Sequence, residues 1–291
     1  MSKYIYVLSG GGAKGMYQAT VLKELFIKGK YDRPNLIVGS SVGGINGAVL
    51  GSEEITPLTL WEQYPRLAKK IFDRERLFAP IYSRNNFLGA WNSLIRASNF
   101  GDLRIKTIIS SVDFVEKKQH YFKSWIDKNI PLTEVIMRGF AAPYYFGRMN
   151  DPKNKRVWGD GGMGYDNLPI TEAIMETIVQ GWIHDTEDVN FIVIGTGFQN
   201  IAESYEKVAD DRTFNQLFDF MIPKEGGLAR VLSRQNQIGQ LVFLAKNFNN
   251  VHFKYYDCIM SKKIDKMDNI KALDKYIDLG IKSASSPLME M

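Results

Sequence analysis

Two short apolar runs near the start of the chain each end at glycines and lead into a helical pattern. Tyr4 to Leu8 is rich in β-branched and aromatic residues, which favours a buried strand. From Gly15 to Lys28 apolar residues recur at helical spacing, and Gly29 is a typical stop. Leu36 to Val38 is the second apolar run, and small residues from Val42 to Leu50 predict a helix after it. This order predicts the opening of a parallel sheet with helices on both faces.

The rest of the pattern is less regular. Residues 53–100 are typical of helices and loops, and Leu103–Ser111 with His120–Trp125 predicts a hairpin. Thr133 to Phe140 predicts a helix that ends before a proline. Phe191 to Ile194 predicts a further core strand that runs into a Gly-Thr-Gly turn. No linker or repeat divides the chain, so we expect one large α/β domain with insertions.

Residues 201–250 are the hardest to assign. Phe214, Leu217, Phe218, Phe220, Met221 and Ile222 are apolar, and Leu241 to Leu244 follows a glutamine-rich helical stretch. Core packing is the default interpretation of both stretches, and a mobile flap over a binding site is the alternative.

Composition narrows the functional class. The 291 residues are 45% hydrophobic, enough to bury a sizeable core. The net charge of +5 is scattered among acidic residues, which indicates a solvated surface, or else a weak preference for anionic phospholipid headgroups. There is no dense basic stripe with interleaved aromatic residues, so we expect no nucleic-acid partner.

Cysteine usage and hydropathy point to a protein kept inside the cell. Cys258 is the single cysteine, which excludes a disulfide framework and a cysteine metal site. The N-terminal apolar stretch is too short for a signal peptide. No window reaches the ~18–20 apolar residues of a membrane span. We therefore expect a cytoplasmic protein without signal peptide or transmembrane helix.

Ser41 is the candidate nucleophile. The pattern Gly-x-Ser-x-Gly fits one frame only, from Gly39 to Gly43, between the second apolar run and the small-residue helix. Glycines on either side let a strand and a helix pass closely and hold the serine in a sharp corner. The hydroxyl then lies at a helix N-terminus, where the dipole favours developing negative charge. The alternative is a structural turn with an idle serine.

The glycine loop from Gly10 to Gly15 has two interpretations. It matches Gly-x-Gly-x-x-Gly, which is typical of dinucleotide sites, but Asp32 precedes the second strand, so the ribose-binding acid is missing. A phosphate loop fails because Met16 follows Gly15. The alternative is an oxyanion hole made of exposed N–H groups. Lys14 would shape the loop or attract an anionic headgroup, unless it is simply solvated.

Asp160 is the candidate base, placed by its glycine-rich surroundings on a tight loop beside Ser41. An ordinary Asp-Gly turn is the alternative. Asp166 ranks well below it because it lacks flanking glycines. Of the histidines, His184 and His252 follow Asp160, and neither lies in a glycine-rich turn, so a Ser-His-Asp triad is disfavoured. Dispersed histidines also give little support for a metal site.

In this order the three motifs resemble the patatin-like phospholipase family. Two softer features agree: the segment from Arg138 to Phe146 resembles the family's small-residue, proline and phenylalanine stretch, and Asn167-Leu168-Pro169 resembles the one after its catalytic Asp. Gly162 stands where many members carry Ala. The resemblance covers residues 4 to about 197 well and the remainder poorly.

The resemblance implies a three-layer α/β/α sandwich with a mostly parallel central sheet. It implies phospholipase A-type hydrolysis of lipid acyl esters through an acyl-enzyme, with Ser41 as nucleophile and Asp160 as base, and with no metal or organic cofactor. The N–H groups of Gly10, Gly11 and Gly12 would form the oxyanion hole. The other motif residues are Ala13, Lys14 and Gly15 in the anion loop, Gly39, Ser40, Val42 and Gly43 at the nucleophile, and Gly161 and Gly162 after the base.

The resemblance also implies a phospholipid or membrane surface as substrate and peripheral membrane association during turnover. Some bacterial members need an activating protein, membrane or nucleotide. Residues 198–291, expected to be a C-terminal helical part of a single domain spanning 1–291, could carry lid or regulatory elements, and a homo-oligomer fits as well. Two other functions stay open: a soluble esterase or thioesterase on the same dyad, and a nucleotide-binding module built on Gly10–Gly15.

Overall fold

One nine-stranded sheet runs through the molecule. The computed structural model describes residues 2–73, 80–184, 187–198, 228–261 and 263–291. The strands are β1 (Lys3–Leu8), β2 (Leu36–Ser40), β3 (Lys106–Asp113), β4 (Lys118–Lys123), β5 (Met149–Asp151), β6 (Arg156–Asp160), β7 (Val189–Ile194), β8 (Val251–Tyr256) and β9 (Met289–Glu290). Their order is β5-β6-β3-β2-β1-β7-β8-β9, with β4 paired to β3. The five central strands, β3-β2-β1-β7-β8, are parallel, and the outer strands are antiparallel.

Eight α-helices are described. They are α1 (Gly15–Ile27), α2 (Val42–Ser52), α3 (Pro57–Ile71), α4 (Arg84–Trp91), α5 (Leu132–Gly139), α6 (Ile170–Val179), α7 (Leu228–Asn247) and α8 (Leu273–Ser285). The parallel order 3-2-1 followed by two strands on the other side of β1 is that of doubly wound α/β folds, which bind ligands at the carboxyl ends of their strands.

The sheet is buried on both faces. In β1, Tyr6 and Leu8 pack into one core with residues of α1, α2, α3, α5 and α8. Ile5 and Val7 point the opposite way, into a second core with α6 and α7. Because strand side chains alternate with a period of two, a strand between two helical layers reads as a continuous apolar run. The predicted three-layer α/β/α sandwich is confirmed, and its sheet is mixed, parallel at the five central strands and antiparallel outside them.

The C-terminal part differs from the expectation. It is not only helical, since β8 and β9 belong to the main sheet. Leu241 and Leu244 lie within α7 and are buried in the second core, so core packing is confirmed for these two residues, whereas Phe243 between them is 63% exposed. The apolar residues from Phe214 to Ile222 lie outside the described residues.

Register at the carboxyl ends of the strands brings distant segments together. Ser40 pairs with Ser110 across β2 and β3, and the next residue of β3, Ser111, pairs with Asp160 of β6. β6 therefore takes the place beside β3 where β2 turns into α2. The residue at that turn is Ser41, so the sheet itself sets the candidate nucleophile next to the candidate base.

The β2–α2 turn requires glycine because the backbones touch. A Cβ atom on Gly43 would lie 2.2 Å from the carbonyl oxygen of Leu8, and one on Gly39 would lie 2.4 Å from the carbonyl oxygen of Gly43. These neighbours are backbone atoms of a buried strand and helix, so they have little freedom to move.

A buried carboxyl group anchors the segment after β6. Asp166 is fully buried, accepts a short hydrogen bond from the Tyr121 hydroxyl of β4, and accepts a second from Gln237 Nε2 of α7 at 2.7 Å. Burial raises the pKa of Asp166 to about 6, although both hydrogen bonds favour the charged form. The segment around Asp166 is thus fixed to both β4 and α7.

The contact at Gly43 predicts a large loss of stability on adding one methyl group. We expect Gly43→Ala to destabilise the fold by about 3 kcal/mol, the upper range for overpacking. Gly239→Ala is the matched control, because nothing lies within 4 Å of its added Cβ on exposed α7, and it should gain about 0.5–1 kcal/mol. Urea unfolding followed by circular dichroism measures both, and equal shifts would contradict the close approach.

The pKa of Asp166 predicts a pH-dependent stability. A carboxyl group with a raised pKa holds its proton more tightly in the folded state, so its contribution is present below pH 4 and is lost as the pH rises to about 6. Asp166→Asn cannot ionise, so the variant should be more stable than wild type at pH 7 by about 3 kcal/mol. Melting temperatures measured from pH 4 to 7 should show this gain growing across the interval; a gap independent of pH would refute the ionisation.

Candidate active site

Ser41 occupies a strained corner. Its φ of 51° and ψ of −124° place a non-glycine residue at positive φ, directly between β2 and α2. Such conformations persist only where the surrounding structure enforces them, and they concentrate at functional sites. The side chain makes no helix-capping hydrogen bond, so the hydroxyl at the N-terminus of α2 is available for another partner.

That partner is Asp160. Ser41 Oγ donates a hydrogen bond to Asp160 Oδ2 at 2.6 Å, and each residue is only 3% exposed. The other carboxylate oxygen, Oδ1, accepts from the Gly162 N–H at 2.7 Å. One oxygen is therefore anchored to the backbone while the other faces the serine. Asp160 is the last residue of β6, followed by a 3-10 turn, and does not lie on the loop that the sequence suggested.

The histidines of the chain lie elsewhere. His120 on β4 packs its ring against Phe122 and Trp158, and burial lowers its pKa below the usual value. Its strand, β4, pairs with β3 and not with β6, which carries Asp160. His252 faces Asp188 at the opposite edge of the sheet, and the ring of His184 lies near Phe248. The arrangement is therefore a serine–carboxylate pair.

The glycine loop is held by its carbonyl groups. The Gly10 carbonyl accepts from Thr196 Oγ1 at 2.7 Å and from Asn167 Nδ2 at 3.4 Å. The Gly11 carbonyl accepts from the Lys14 N–H at 3.2 Å. In a planar trans peptide the N–H points away from the preceding carbonyl. These bonds therefore fix the directions of the next two amides, those of Gly11 and Gly12.

Two loop amides are committed elsewhere. The Gly10 N–H donates to the Asn167 carbonyl at 3.0 Å, and the Ala13 N–H donates to the Met267 carbonyl at 2.6 Å. Among the described residues, no protein acceptor is found for the N–H groups of Gly11 and Gly12. Of the three glycines predicted to form the oxyanion hole, these two fit the role, whereas Gly10 serves to orient the loop.

Lys14 is neither solvated nor placed to meet a headgroup. It is 3% exposed, and its Nζ lies 2.6 Å from Asp265 Oδ1. Of the interpretations given to this lysine, shaping the loop is the one that fits. A phosphate cradle needs several free amides and a reachable cation, so the loop favours an oxyanion hole over nucleotide binding.

Two further motif glycines pack tightly beside Ser41 and Asp160. A Cβ on Gly10 would touch Ser41 Cβ at 3.0 Å, and one on Gly161 would lie 2.1 Å from Ser110 Oγ, so both turns pack tightly around the dyad. Gly15 begins α1, and Ser40 is fully buried at the end of β2.

An apolar cavity of about 30 Å³ begins at Gly12 and Val42, next to Ser41, and continues between helices α2, α3 and α4. Its lining is almost wholly aliphatic and aromatic.

The described side chains include no group of three or more His, Cys, Asp or Glu residues that could hold a metal ion. In the described part of the chain no helix is both long and apolar enough to cross a membrane.

Several contributors to the site were not recognised in the sequence. Thr196 and Asn167 lie in segments that the sequence singles out, after β7 and after the base. The sequence pattern does not indicate that either side chain donates a hydrogen bond to the Gly10 carbonyl. Tyr64, whose hydroxyl donates to the Gly12 carbonyl at 3.2 Å, looked like one aromatic residue among many. Asp265 and Met267 carried no signal at all, because their partners lie at the other end of the chain.

Comparison with known proteins agrees with this geometry. The model of the patatin-like phospholipase family matches residues 6–174. A cGAMP-activated phospholipase of Pseudomonas aeruginosa is 25% identical over 94% of this chain and 82% of its own length. A cGAMP-activated phospholipase of Vibrio cholerae is 26% identical over 66% of this chain and 63% of its own.

A solved structure supports the fold. VipD from Legionella pneumophila superposes with a TM-score of 0.51 at 11% identity, covering 98% of this chain and 66% of that one. The family match alone spans both glycine motifs, the serine and the aspartate. The chain therefore belongs to the patatin-like phospholipase family, and with it to the lipid acyl hydrolases that cleave carboxylic esters.

Proposed function

We propose that the protein is a phospholipase A-type enzyme that works through a Ser41–Asp160 dyad. The observation that carries the proposal is the 2.6 Å hydrogen bond from Ser41 Oγ to a carboxylate that is itself anchored by the Gly162 N–H. A nucleophile within hydrogen-bond reach of a positioned base is the signature of covalent catalysis.

In the first half-reaction Ser41 Oγ attacks the acyl carbonyl of the lipid and its proton passes to Asp160. The carbonyl oxygen becomes an oxyanion, which the N–H groups of Gly11 and Gly12 stabilise together with the N-terminus of α2. Asp160 returns the proton to the leaving oxygen, and a lysolipid or alcohol departs. Ser41 is left as an acyl ester.

In the second half-reaction water takes the place of the leaving group. Asp160 removes its proton, the hydroxide attacks the acyl ester, and the same two amides receive the charge. The fatty acid leaves as Ser41 regains its proton from Asp160. Each half-reaction therefore returns the Asp160 carboxylate to its starting charge.

Apolar surroundings support a lipid substrate. The side chains that line the small cavity at Gly12 and Val42 are almost all apolar, so the surroundings of the nucleophile favour an acyl chain over a polar group. At the same edge of the sheet, Met163 and Tyr165 follow the base and are 38% and 65% exposed, and Leu232 of α7 beside them is 52% exposed. Exposed apolar side chains around a site mark a docking surface, here for a phospholipid membrane.

Control by a ligand is part of the proposal. Two relatives that match most of this chain are named cGAMP-activated phospholipases. We infer that cGAMP is the first activator to test. We also propose that residues 1–291 act as one unit, which the placement of β8 and β9 in the main sheet supports.

The dyad predicts the effect of two substitutions. Ser41→Ala and Asp160→Asn should each reduce fatty-acid release from phospholipid vesicles by at least about a thousandfold, since the triad members of serine hydrolases carry losses of this order. The assay compares purified variants with and without cGAMP. Ser93→Ala and Asp278→Asn make the same changes at exposed positions and should match wild type. Turnover that survives in Ser41→Ala would end the proposal.

The exposed residues after the base predict that their loss lowers activity on membranes and leaves activity on soluble esters unchanged. Met163→Ser with Tyr165→Ser should lower hydrolysis of vesicles about tenfold or more, because interfacial binding scales with buried apolar area. Hydrolysis of a short, water-soluble ester should stay unchanged. Val179→Ser removes a side chain that is 72% exposed on the far end of α6 and is the control. Equal activity of wild type and the double variant on vesicles would favour the soluble esterase instead.

A further inference from the structure

A short C-terminal segment lies against the oxyanion loop. We call residues Ile264 to Met267 the strap. Within the strap, Met267 accepts the Ala13 N–H at 2.6 Å, and its carbonyl oxygen would lie 2.2 Å from a Cβ on Gly12. The strap therefore packs directly on the backbone of the loop, although some 250 residues of chain separate them.

The strap is itself fixed from two sides. The Tyr276 hydroxyl of α8 donates to the Ile264 carbonyl at 2.6 Å. Next to the strap, Asp268 accepts from the Tyr82 hydroxyl at 2.9 Å. Since α8 packs along α1, which begins where the loop ends, the strap has a rigid support at the level of the site.

A buried ion pair joins the strap to the loop. The side chains of Lys14 and Asp265 are 4% and 1% exposed, and the Nζ to Oδ1 distance is 2.6 Å. Burying two charges costs a desolvation free energy that their attraction often fails to exceed, so such a pair is weak evidence for stability. What it does supply is a fixed distance and direction between the two segments.

That direction matters for the oxyanion hole. Lys14 holds Asp265 with its side chain while its own N–H donates to the Gly11 carbonyl, the bond that sets the direction of the Gly12 amide. The same residue thus links the strap to the peptide plane that presents a catalytic N–H group. A small rotation of that plane would turn the donor away from the oxyanion.

We propose that the Lys14–Asp265 ion pair is the positioning device of the oxyanion hole, through which the strap holds the Gly11 and Gly12 amides toward Ser41. This inference rests on the proposed function for the role of those amides. It makes Lys14 and Asp265 positioning residues that do not touch substrate. It also couples the position of the C-terminal part of the chain directly to the position of the Gly11 and Gly12 amides.

The first test separates positioning from stability. Lys14→Met and Asp265→Asn should lower kcat at least about tenfold with KM nearly unchanged, the result of a lost interaction that exists only in the transition state. Asp151→Asn is the matched control, because Arg138 and Asp151 form a second buried ion pair, at 2.9 Å and 5% and 6% exposure. It should lower the melting temperature and leave kcat as in wild type.

The double variant Lys14→Met/Asp265→Leu replaces the pair by apolar groups. It should recover much of the melting temperature lost in the single variants, because no unpaired charge stays buried, while kcat stays low. If kcat returns to the wild-type value with stability, or if the single variants keep wild-type kcat when fully folded, the pair is only structural and the proposal is wrong.

A second test does not depend on turnover. Hydrogen–deuterium exchange of peptides covering residues 9–16 and 263–269 should be about tenfold faster in Lys14→Met and Asp265→Asn than in wild type and Asp151→Asn, because the Ala13 N–H loses its protection. Unchanged exchange in both peptides overturns the positioning role. If wild type releases no more fatty acid than Ser41→Ala, the proposed function fails, and exchange alone still decides whether the pair holds the loop.

Discussion

The hydrogen bond between Ser41 and Asp160 depends on the register of three strands. Ser40 lies opposite Ser110, and Ser111 lies opposite Asp160, so the serine and the carboxylate meet only where β2 ends and β6 begins to pair with β3. A slip of one residue would send each side chain to the other face of the sheet. Two buried cores, one on each face, make such a slip costly, and the short distance between Ser41 and Asp160 is therefore a consequence of the hydrophobic packing.

The orientation of the carboxylate depends more on neighbouring residues in a serine–carboxylate pair than in a triad. In a triad the imidazole bridges nucleophile and acid and can turn between attacking and leaving groups. Here the carboxylate has to face the serine directly, and a free carboxylate would rotate. The Gly162 N–H holds one oxygen and leaves the other for Ser41. The glycine turn after β6 therefore does part of the work that a histidine would do, which explains why the glycines accompany the aspartate in the sequence.

Much of this arrangement follows from local pattern. The strands before each glycine motif are continuous apolar runs, as expected of strands between two helical layers. Gly39 and Gly43 are required by the close backbone contacts at the turn from β2 into α2. The candidate nucleophile and the candidate base could be named from these motifs. The placement of Asp160 at the end of a strand could not be predicted, because β6 has only five residues and its second-to-last residue, Gly159, makes the sequence resemble a turn. β8 was missed for a related reason: His252 and Lys254 interrupt its apolar residues and weaken the strand signal.

What no local pattern could supply is the support of the oxyanion loop. Its carbonyls and amides are oriented by residues far along the chain, Asn167, Thr196 and Met267. Each contributes one hydrogen bond, and a single threonine or a backbone carbonyl leaves no periodic trace in a sequence. Lys14 illustrates the limit best, because a lysine in a glycine loop suggests an exposed cation, whereas its partner lies 251 residues away and both are buried. The loop's sequence determines that amides can be exposed; tertiary contacts determine which ones are, and in what direction they point.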